Sequence, residues 1–193
     1  ANTAVGFQAL DANTTGTQNV AVGQDALGAN TTATGNIAIG YQALDANTTG
    51  ANNIAMGSNA LGACTTSPSN VAIGPSALLS LTTGFGANIG IGHQSLNALT
   101  TADSNIAIGV TALYTNQTGT SNIGIGQDAL TLTTGSQNVA IGVGAGDNVT
   151  TGTQNVFLGN NSGNITTGSN NILIGYNNSA SSATVSNEFT HGN

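Results

Sequence analysis

The residues that could do acid–base or metal chemistry are few and irregularly spaced. The chain has seven acidic residues and two histidines, and it has no Lys or Arg. The acids are Asp11, Asp25, Asp45, Asp103, Asp128, Asp147 and Glu188. Calcium-binding β-roll repeats place an Asp in every copy, but no repeat position carries a carboxylate in every copy here. Two isolated histidines, His93 and His191, do not supply a set of metal ligands.

Catalysis requires titratable groups gathered in one pocket, and this pattern gathers none. We therefore predict no catalytic residue, no metal site and no cofactor, and a protein that is not an enzyme. Cys64 is the only cysteine, so no disulfide forms within one chain. The run Gly142-Val143-Gly144-Ala145-Gly146-Asp147 looks like a phosphate-binding loop, but one such match is expected by chance among 28 glycines.

Charge and hydropathy exclude two classes of partner. Phosphate backbones are bound mainly through Lys and Arg, which this chain lacks while carrying a formal net charge of −7. No apolar run approaches the roughly 20 residues that a membrane-spanning helix needs. We therefore expect neither nucleic-acid binding nor membrane insertion.

A repeat organises almost the whole chain, and the copy Asn36–Gly50 shows it in full. Its pattern is Asn, aliphatic, small, aliphatic, Gly, two variable residues, Ala-Leu, a short spacer and Thr-Thr-Gly. The repeat glycines are Gly6, Gly23, Gly40, Gly57, Gly74, Gly92, Gly109, Gly126, Gly142, Gly159, Gly175 and Gly192. Their spacing is 17 residues, with one spacing of 18 and two of 16. A fixed period of this length is typical of a solenoid, in which each copy stacks on its neighbours.

Each copy contains one short β-branched run, which predicts a strand of about five residues. Alternation along a strand puts Val20 and Val22 on one face and Ala21 on the other. We predict that the Val/Ile pair forms the inward ladder of an all-β, parallel β-solenoid with about eleven coils. The repeat array is predicted to span residues 1–179, and residues 180–193 form its irregular C-terminal end.

The other parts of the repeat have predicted places as well. Ala-Leu, as in Ala26-Leu27, should close the core from the side opposite the strand. The repeat glycine should turn the chain, at a position that needs a positive φ. The small residue in the strand, Ala or Gly in most copies, indicates a face on which something packs closely. Phe157 and Leu173 occupy that position in the last two full copies, so the packing should change there.

The repeat position just before Thr-Thr holds an amide residue in some copies and an aliphatic residue in others. Its members are Asn13, Asn30, Asn47, Cys64, Leu81, Leu99, Asn116, Leu132, Val149 and Ile165. This exchange predicts a stacked, partly buried column in which Asn residues hydrogen-bond from coil to coil, as in other Asn ladders. The Asn-Thr-Thr triplets of this region also match the N-glycosylation pattern, although turn chemistry explains the same residues.

Residues that follow the repeat glycine vary while the framework stays fixed. Phe7, Tyr41, His93 and Tyr176 occupy this position. Variable residues on a rigid scaffold are where recognition is expected. We predict surface recognition at these four residues, with solvent-exposed decoration as the alternative.

The copies Asn36-Ile37-Ala38-Ile39-Gly40 and Asn70-Val71-Ala72-Ile73-Gly74 resemble the head repeats of trimeric autotransporter adhesins (YadA-like heads). The longer unit, with Gly-Tyr-Gln-Ala-Leu and Asn-Thr-Thr-Gly, is similar to repeats of phage tail fibres. The terminal stretch 187–193 resembles the segment that precedes an endosialidase-type intramolecular chaperone, which assembles three chains and then cuts itself off. The resemblance covers nearly the whole chain.

This resemblance implies a left-handed β-roll and a homotrimer. It implies an extracellular fibre shaft or adhesin on a virion tail that attaches to a host glycan or protein receptor, with a bacterial surface adhesin head as the alternative. Three-fold packing would then use the small-residue face, namely Ala21, Ala38, Ala55, Ala72, Ala107 and Ala140. A different alternative is an ice-binding solenoid, in which the Thr-Thr pairs order water.

Overall fold

The computed structural model describes residues 1–192 and shows one parallel β-solenoid. Asn193, the last residue of the predicted irregular end, lies outside the described residues. Residues 1–192 contain twelve strands of three residues and no helix. The strands are β1 (Thr3–Val5), β2 (Val20–Val22), β3 (Ile37–Ile39), β4 (Ile54–Met56), β5 (Val71–Ile73), β6 (Ile89–Ile91), β7 (Ile106–Ile108), β8 (Ile123–Ile125), β9 (Val139–Ile141), β10 (Val156–Leu158), β11 (Ile172–Ile174) and β12 (Phe189–His191).

Each strand pairs in parallel with the next strand of the chain, and equivalent repeat positions lie side by side. The sheet order runs from β1 to β12 without a crossover. In the pairing of β2 with β3, Ala21 lies beside Ala38. The remainder of each coil stacks in the same way, for example through the Leu27 N–H, which donates to the Ala43 carbonyl at 3.0 Å. The predicted β-solenoid of about eleven coils is therefore confirmed.

The segment after each strand turns through alternating left-handed residues. In the second copy φ is 135° at Gly23, 57° at Asp25 and 52° at Leu27, so the predicted positive φ of the repeat glycine is confirmed. Left-handed conformation costs a residue with a side chain about 1–2 kcal/mol. It persists in every full copy because stacked hydrogen bonds and burial of Leu27 fix the backbone around it.

The side chains of the strands point opposite to our prediction. Ala21, Ala38 and their equivalents are completely buried, whereas Ile39 is 37% exposed and Ile141 43% exposed. The Ala/Gly position therefore faces the core, and the Val/Ile pair faces outward. The predicted Leu ladder is correct, since Leu27, Leu44 and their equivalents are fully buried.

The thinness of the coil explains this inversion. The Leu column projects across the coil onto the inner side of the strand. A Cβ added at Gly90 would lie 3.3 Å from Leu78 Cγ, and one added at Gly124 would lie 3.3 Å from Leu113 Cγ. Only a hydrogen or a methyl group fits beneath such a Leu. The core is therefore built from Leu against Ala, and the larger β-branched side chains lie outside.

The packing changes near the C-terminus, as expected. Phe157 and Leu173 are fully buried at the position that Ala holds elsewhere. Gly146 and Gly163 stand where earlier copies have the core Leu, and a Cβ at Gly146 would lie 2.7 Å from the Phe157 ring. The ring fills the space of the missing leucines. Strand β12 still pairs in register with β11, so the solenoid extends into the segment predicted to be irregular.

Candidate functional site

The outer side of the β-sheet carries an extensive apolar surface. We call this the outer aliphatic face, and it consists of two columns that flank the buried strand residue. The first column is Val20, Ile37, Ile54, Val71, Ile89, Ile106, Ile123, Val139, Val156 and Ile172. The second column is Val22, Ile39, Met56, Ile73, Ile91, Ile108, Ile125, Ile141, Leu158 and Ile174. Every member is partly or largely exposed.

The size of this face matches that of the largest apolar patch on a typical monomer. Ten strands at about 4.8 Å and three residues of width give a footprint of roughly 500 Å². The largest apolar patch on a typical monomer covers about 300–600 Å² and is often functional. The face is therefore the part of this surface that would gain most from being covered.

The predicted interface residues do not lie on this face. Ala21, Ala38, Ala55, Ala72, Ala107 and Ala140 have no exposed surface in the single chain. A second chain cannot contact them, because their side chains point into the core of their own coil. The prediction that these alanines form the interface between chains is therefore wrong. The outer aliphatic face is the side of the strands that we had predicted to point into the core.

The predicted recognition residues form an exposed column beside the outer aliphatic face. Phe7, Tyr41, His93 and Tyr176 are all exposed, with Phe7 at 70%. Each follows the repeat glycine directly, two residues beyond the second aliphatic column. Their exposure permits recognition, and their role in it stays a prediction.

The two threonines of each Thr-Thr pair have different environments. The first hydroxyl donates to a backbone carbonyl of the next coil, as from Thr14 Oγ1 to Thr31 O at 2.9 Å and from Thr48 Oγ1 to Thr65 O at 3.1 Å. The second threonine of the pair, such as Thr32 or Thr49, is exposed to solvent. The pair therefore holds adjacent coils together with one hydroxyl and offers the other to solvent.

The predicted amide column before Thr-Thr is present at its N-terminal end. Asn30 Nδ2 donates to Asn13 Oδ1 at 2.8 Å, and Asn47 Nδ2 donates to Asn30 Oδ1 at 3.2 Å. The stack stops at Cys64, so the buried Oδ1 of Asn47 has no hydrogen-bond partner within residues 1–192. Further along, Thr133 takes the buried position instead of the predicted Leu132, which is exposed, because that copy is one residue short.

A second and longer Asn ladder was missed by our sequence reasoning. It is formed by the first residue of the repeat, and its buried members are Asn19, Asn36, Asn53, Asn70, Asn88, Asn105, Asn122, Asn138, Asn155 and Asn171. Asn155 is typical, since its Nδ2 donates to Gly168 O at 2.9 Å and its Oδ1 accepts the Asn171 N–H at 3.0 Å. The signal was the invariance of this Asn from copy to copy. A strand-edge residue exposed to water would have varied.

The titratable residues do not assemble into a reactive centre. Burial raises the pKa of the Cys64 thiol to about 11, which keeps the sulfur protonated and unreactive at neutral pH. Burial first and the nearby Asp25 second raise the pKa of Asp45. Burial also raises the pKa of Asp147, with a smaller contribution from Asp128. Within residues 1–192 no three His, Cys, Asp or Glu side chains lie close enough to hold a metal ion.

Two features could suggest ligand binding. One of them has a packing role, and the other is shallow. The glycine run 142–147 makes room for the Phe157 ring at Gly146, so packing explains it. A shallow surface depression is lined by Asp128, Thr131, Leu132, Asp147 and Asn148.

The part of the chain that the structure describes contains no helix long and apolar enough to cross a membrane.

Comparison with known proteins does not assign this chain to a family. No protein-family model, no curated protein and no solved structure matches the sequence or the fold significantly.

Proposed function

We propose that this chain is a non-enzymatic shaft or adhesin segment of a homotrimeric extracellular fibre, carried on a virion tail and used for attachment to a host cell surface. The observation that carries the proposal is the outer aliphatic face, about twenty partly exposed Val, Ile, Leu and Met side chains in two columns. Water against such a surface is unfavourable by about 25 cal/mol for each Å² of apolar area. A rod with one apolar side can cover that side by associating with identical rods.

Three copies arranged around one axis suit this face better than an open assembly. Closed symmetry lets each rod place its aliphatic columns toward the axis, so no apolar edge is left to recruit further chains. The remaining circumference then carries mainly Thr, Ser, Asn and Gln, with isolated exposed apolar residues such as Phe85 and Leu132. A rod with no Lys or Arg and 4% charged residues also offers no cleavage site to proteases that require a basic residue.

The native mass in solution, by light scattering or sedimentation, tests the assembly. We expect three times 18.8 kDa for the chain as it stands. The variant Ile73→Asp/Ile108→Asp places charges on the outer aliphatic face and should reduce the mass to that of one chain. The matched control Thr49→Asp/Thr118→Asp places the same charges on exposed turn residues and should remain trimeric.

A single-chain mass for the unaltered protein would overturn the trimer. Retention of the labelled trimer on host cells, and its loss in the Ile73→Asp/Ile108→Asp variant, would support the attachment function. A bacterial surface adhesin head would share the same trimer, and retention on animal cells instead of bacteria would favour it.

The ice-binding alternative has one observation in its favour. The second threonine of each pair forms an exposed column at the spacing of the coils, about 4.8 Å, as in Thr32, Thr49 and Thr66. The hydroxyl of the first threonine donates its hydrogen to a backbone carbonyl of the next coil. A thermal-hysteresis measurement tests this function, and no depression of the freezing point beyond the colligative value would remove it.

A further inference from the structure

The one-residue insertion of the fifth copy produces the most exposed large apolar side chain of residues 1–192. The repeat spacing increases from 17 to 18 residues between Gly74 and Gly92, and Phe85 within this copy is 91% exposed. Other copies place a single small buried residue after Thr-Thr, such as Gly16, Ala33 or Ser67. Phe cannot occupy that buried position, and the extra residue lets the chain carry it outside.

The loop that carries Phe85 has a defined conformation. The Gly86 N–H donates to Asp103 Oδ1 at 2.8 Å, and the Ser104 N–H donates to Gly86 O at 3.3 Å. Gly84 has φ 129° and Gly86 has φ 85°, which side-chain-bearing residues rarely adopt. A Cβ at Gly86 would also overlap the carbonyl oxygen of Pro68. The two glycines and the Asp103 contact therefore hold the aromatic ring away from the rod.

The surroundings of the ring are polar and contain no positive charge. Thr83 and Thr101 are exposed, and within residues 1–192 their hydroxyls make no hydrogen bond. Gly84 lies against coil six, where a Cβ would be 2.8 Å from Asp103 Oδ1. The loop that carries the exposed Phe85 ring thus includes Thr83 and lies against the Thr101–Asp103 segment of the next coil, which supplies a second unpaired hydroxyl and a carboxylate. Rigid aromatic side chains with adaptable polar neighbours are typical anchors of recognition surfaces.

We propose that Phe85, with Thr83, Thr101 and Asp103, forms a binding site for a neutral saccharide of the host surface. A pyranose ring has an apolar C–H face that can lie on the aromatic ring, and a rim of hydroxyls that can pair with the Thr and Asp side chains. The absence of Lys and Arg and the net charge of −7 disfavour acidic sugars. This inference rests on the proposed attachment function and names its receptor class.

Binding to surfaces coated with defined saccharides tests the site. Galactose-, glucose- and mannose-terminated glycans serve as neutral probes and sialic-acid-terminated glycans as acidic probes. We expect binding to at least one neutral probe and none to the acidic ones. Phe85→Ala should weaken that binding about tenfold or more, Phe85→Tyr should retain it, and Thr101→Ala should weaken it less.

The matched control is Leu132→Ala, which removes another exposed apolar side chain about three coils away and should leave binding unchanged. Phe85 is exposed, so its variants should keep the unfolding temperature of the parent. Unchanged binding in Phe85→Ala, preferential binding of acidic probes, or binding to no neutral probe would each overturn the saccharide site. If the trimer mass is observed in the same preparation, such a failure leaves the proposed fibre intact. Phe85-dependent binding by a single chain would support the site and contradict the trimer.

Discussion

The N-terminal coils, residues 2–69, and the C-terminal coils, residues 138–186, fill the same narrow core in different ways. Near the N-terminus, small strand residues such as Ala38 face a column of leucines such as Leu44. Near the C-terminus, Phe157 reaches inward from the strand and Gly146 and Gly163 replace the leucines. The interior volume of a coil is fixed by the 17-residue loop, and either wall can supply the side chain that fills it.

The N-terminal and C-terminal coils also differ in their buried Asn side chains. In the N-terminal region two Asn columns run side by side, one before Thr-Thr and one at the start of the strand. In the C-terminal region the first column has become aliphatic, with Val149 and Ile165 fully buried, and only the second column continues. The second column therefore contributes something that an aliphatic side chain cannot replace, which is a bond to the backbone of both its own coil and the next.

The largest effect on stability is expected from exchanging the two ways in which the core is filled. Phe157→Ala should destabilise the protein by about 3–5 kcal/mol, because Gly146 and Gly163 leave the cavity unfilled. Adding Gly146→Leu to that variant restores the arrangement of the N-terminal coils in part and should recover about half of the loss. Denaturant-induced unfolding measures both values.

The reciprocal change supplies the control for this exchange. Ala55→Phe inserts a ring where Leu44 and Leu61 already fill the core, and overpacking should cost about 1–3 kcal/mol or more. Relief of that cost by Leu44→Gly/Leu61→Gly would support the shared-volume account. A tolerated Ala55→Phe single variant would contradict it.

The second largest effect should distinguish the two Asn columns. Asn155→Leu leaves Gly168 O and the Asn171 N–H without their partners, and two unpaired buried groups should cost about 2–4 kcal/mol. Asn47→Leu should cost less than about 1 kcal/mol. The substitution leaves Asn30 Oδ1 without its donor, but it removes the Asn47 Oδ1 that is already unpaired, and Gly50 O keeps the Asn36 amide as donor. Equal losses of stability in urea titrations of the two variants would show that the columns are not different in kind.

A third prediction concerns Cys64, where the amide column of the N-terminal region ends. The thiol has a pKa of about 11 in the folded chain against an ordinary value of 9.0, so between pH 9 and 11 the unfolded chain releases its proton first. Stability should be fully retained below pH 9 and fall by about 2–3 kcal/mol as pH rises to 11. Unfolding measured across this range should show the fall in the parent and a shallower slope in Cys64→Ala, and parallel slopes would contradict the buried thiol.

The smallest effect should be the same in both regions. Asp45 faces Asp25 and Asp147 faces Asp128 across neighbouring coils, and the pKa values of Asp45 and Asp147 are raised by burial and by these neighbours. A raised carboxyl pKa means that stability increases as pH falls toward the ordinary value of 3.8. Asp45→Asn and Asp147→Asn should each stabilise the protein at pH 7 by a few tenths of a kcal/mol, and less in high salt. Thermal unfolding at low and high salt measures this, and destabilisation by either variant would contradict it.

The resemblance to trimeric fibres and the outer aliphatic face both support the proposed assembly of three chains. The resemblance suggested three chains, and the buried alanines removed the surface first assigned to their contact. The face that replaces it is more apolar and longer than the predicted one. The mass measurement on Ile73→Asp/Ile108→Asp is therefore informative about the corrected surface rather than the original one.

Sequence patterns were enough to predict the period, the strand positions, the buried Leu column, the positive φ of the repeat glycine and the amide stack at Asn13, Asn30 and Asn47. These follow from local rules: strand alternation, turn chemistry and the recurrence of one residue type at one position. Tertiary structure decided which side of each strand faces inward, because alternation separates Val20 from Ala21 without saying which lies inside. That choice depends on the space left beneath Leu27 and its neighbours, and this space exists only once the coil has closed and stacked.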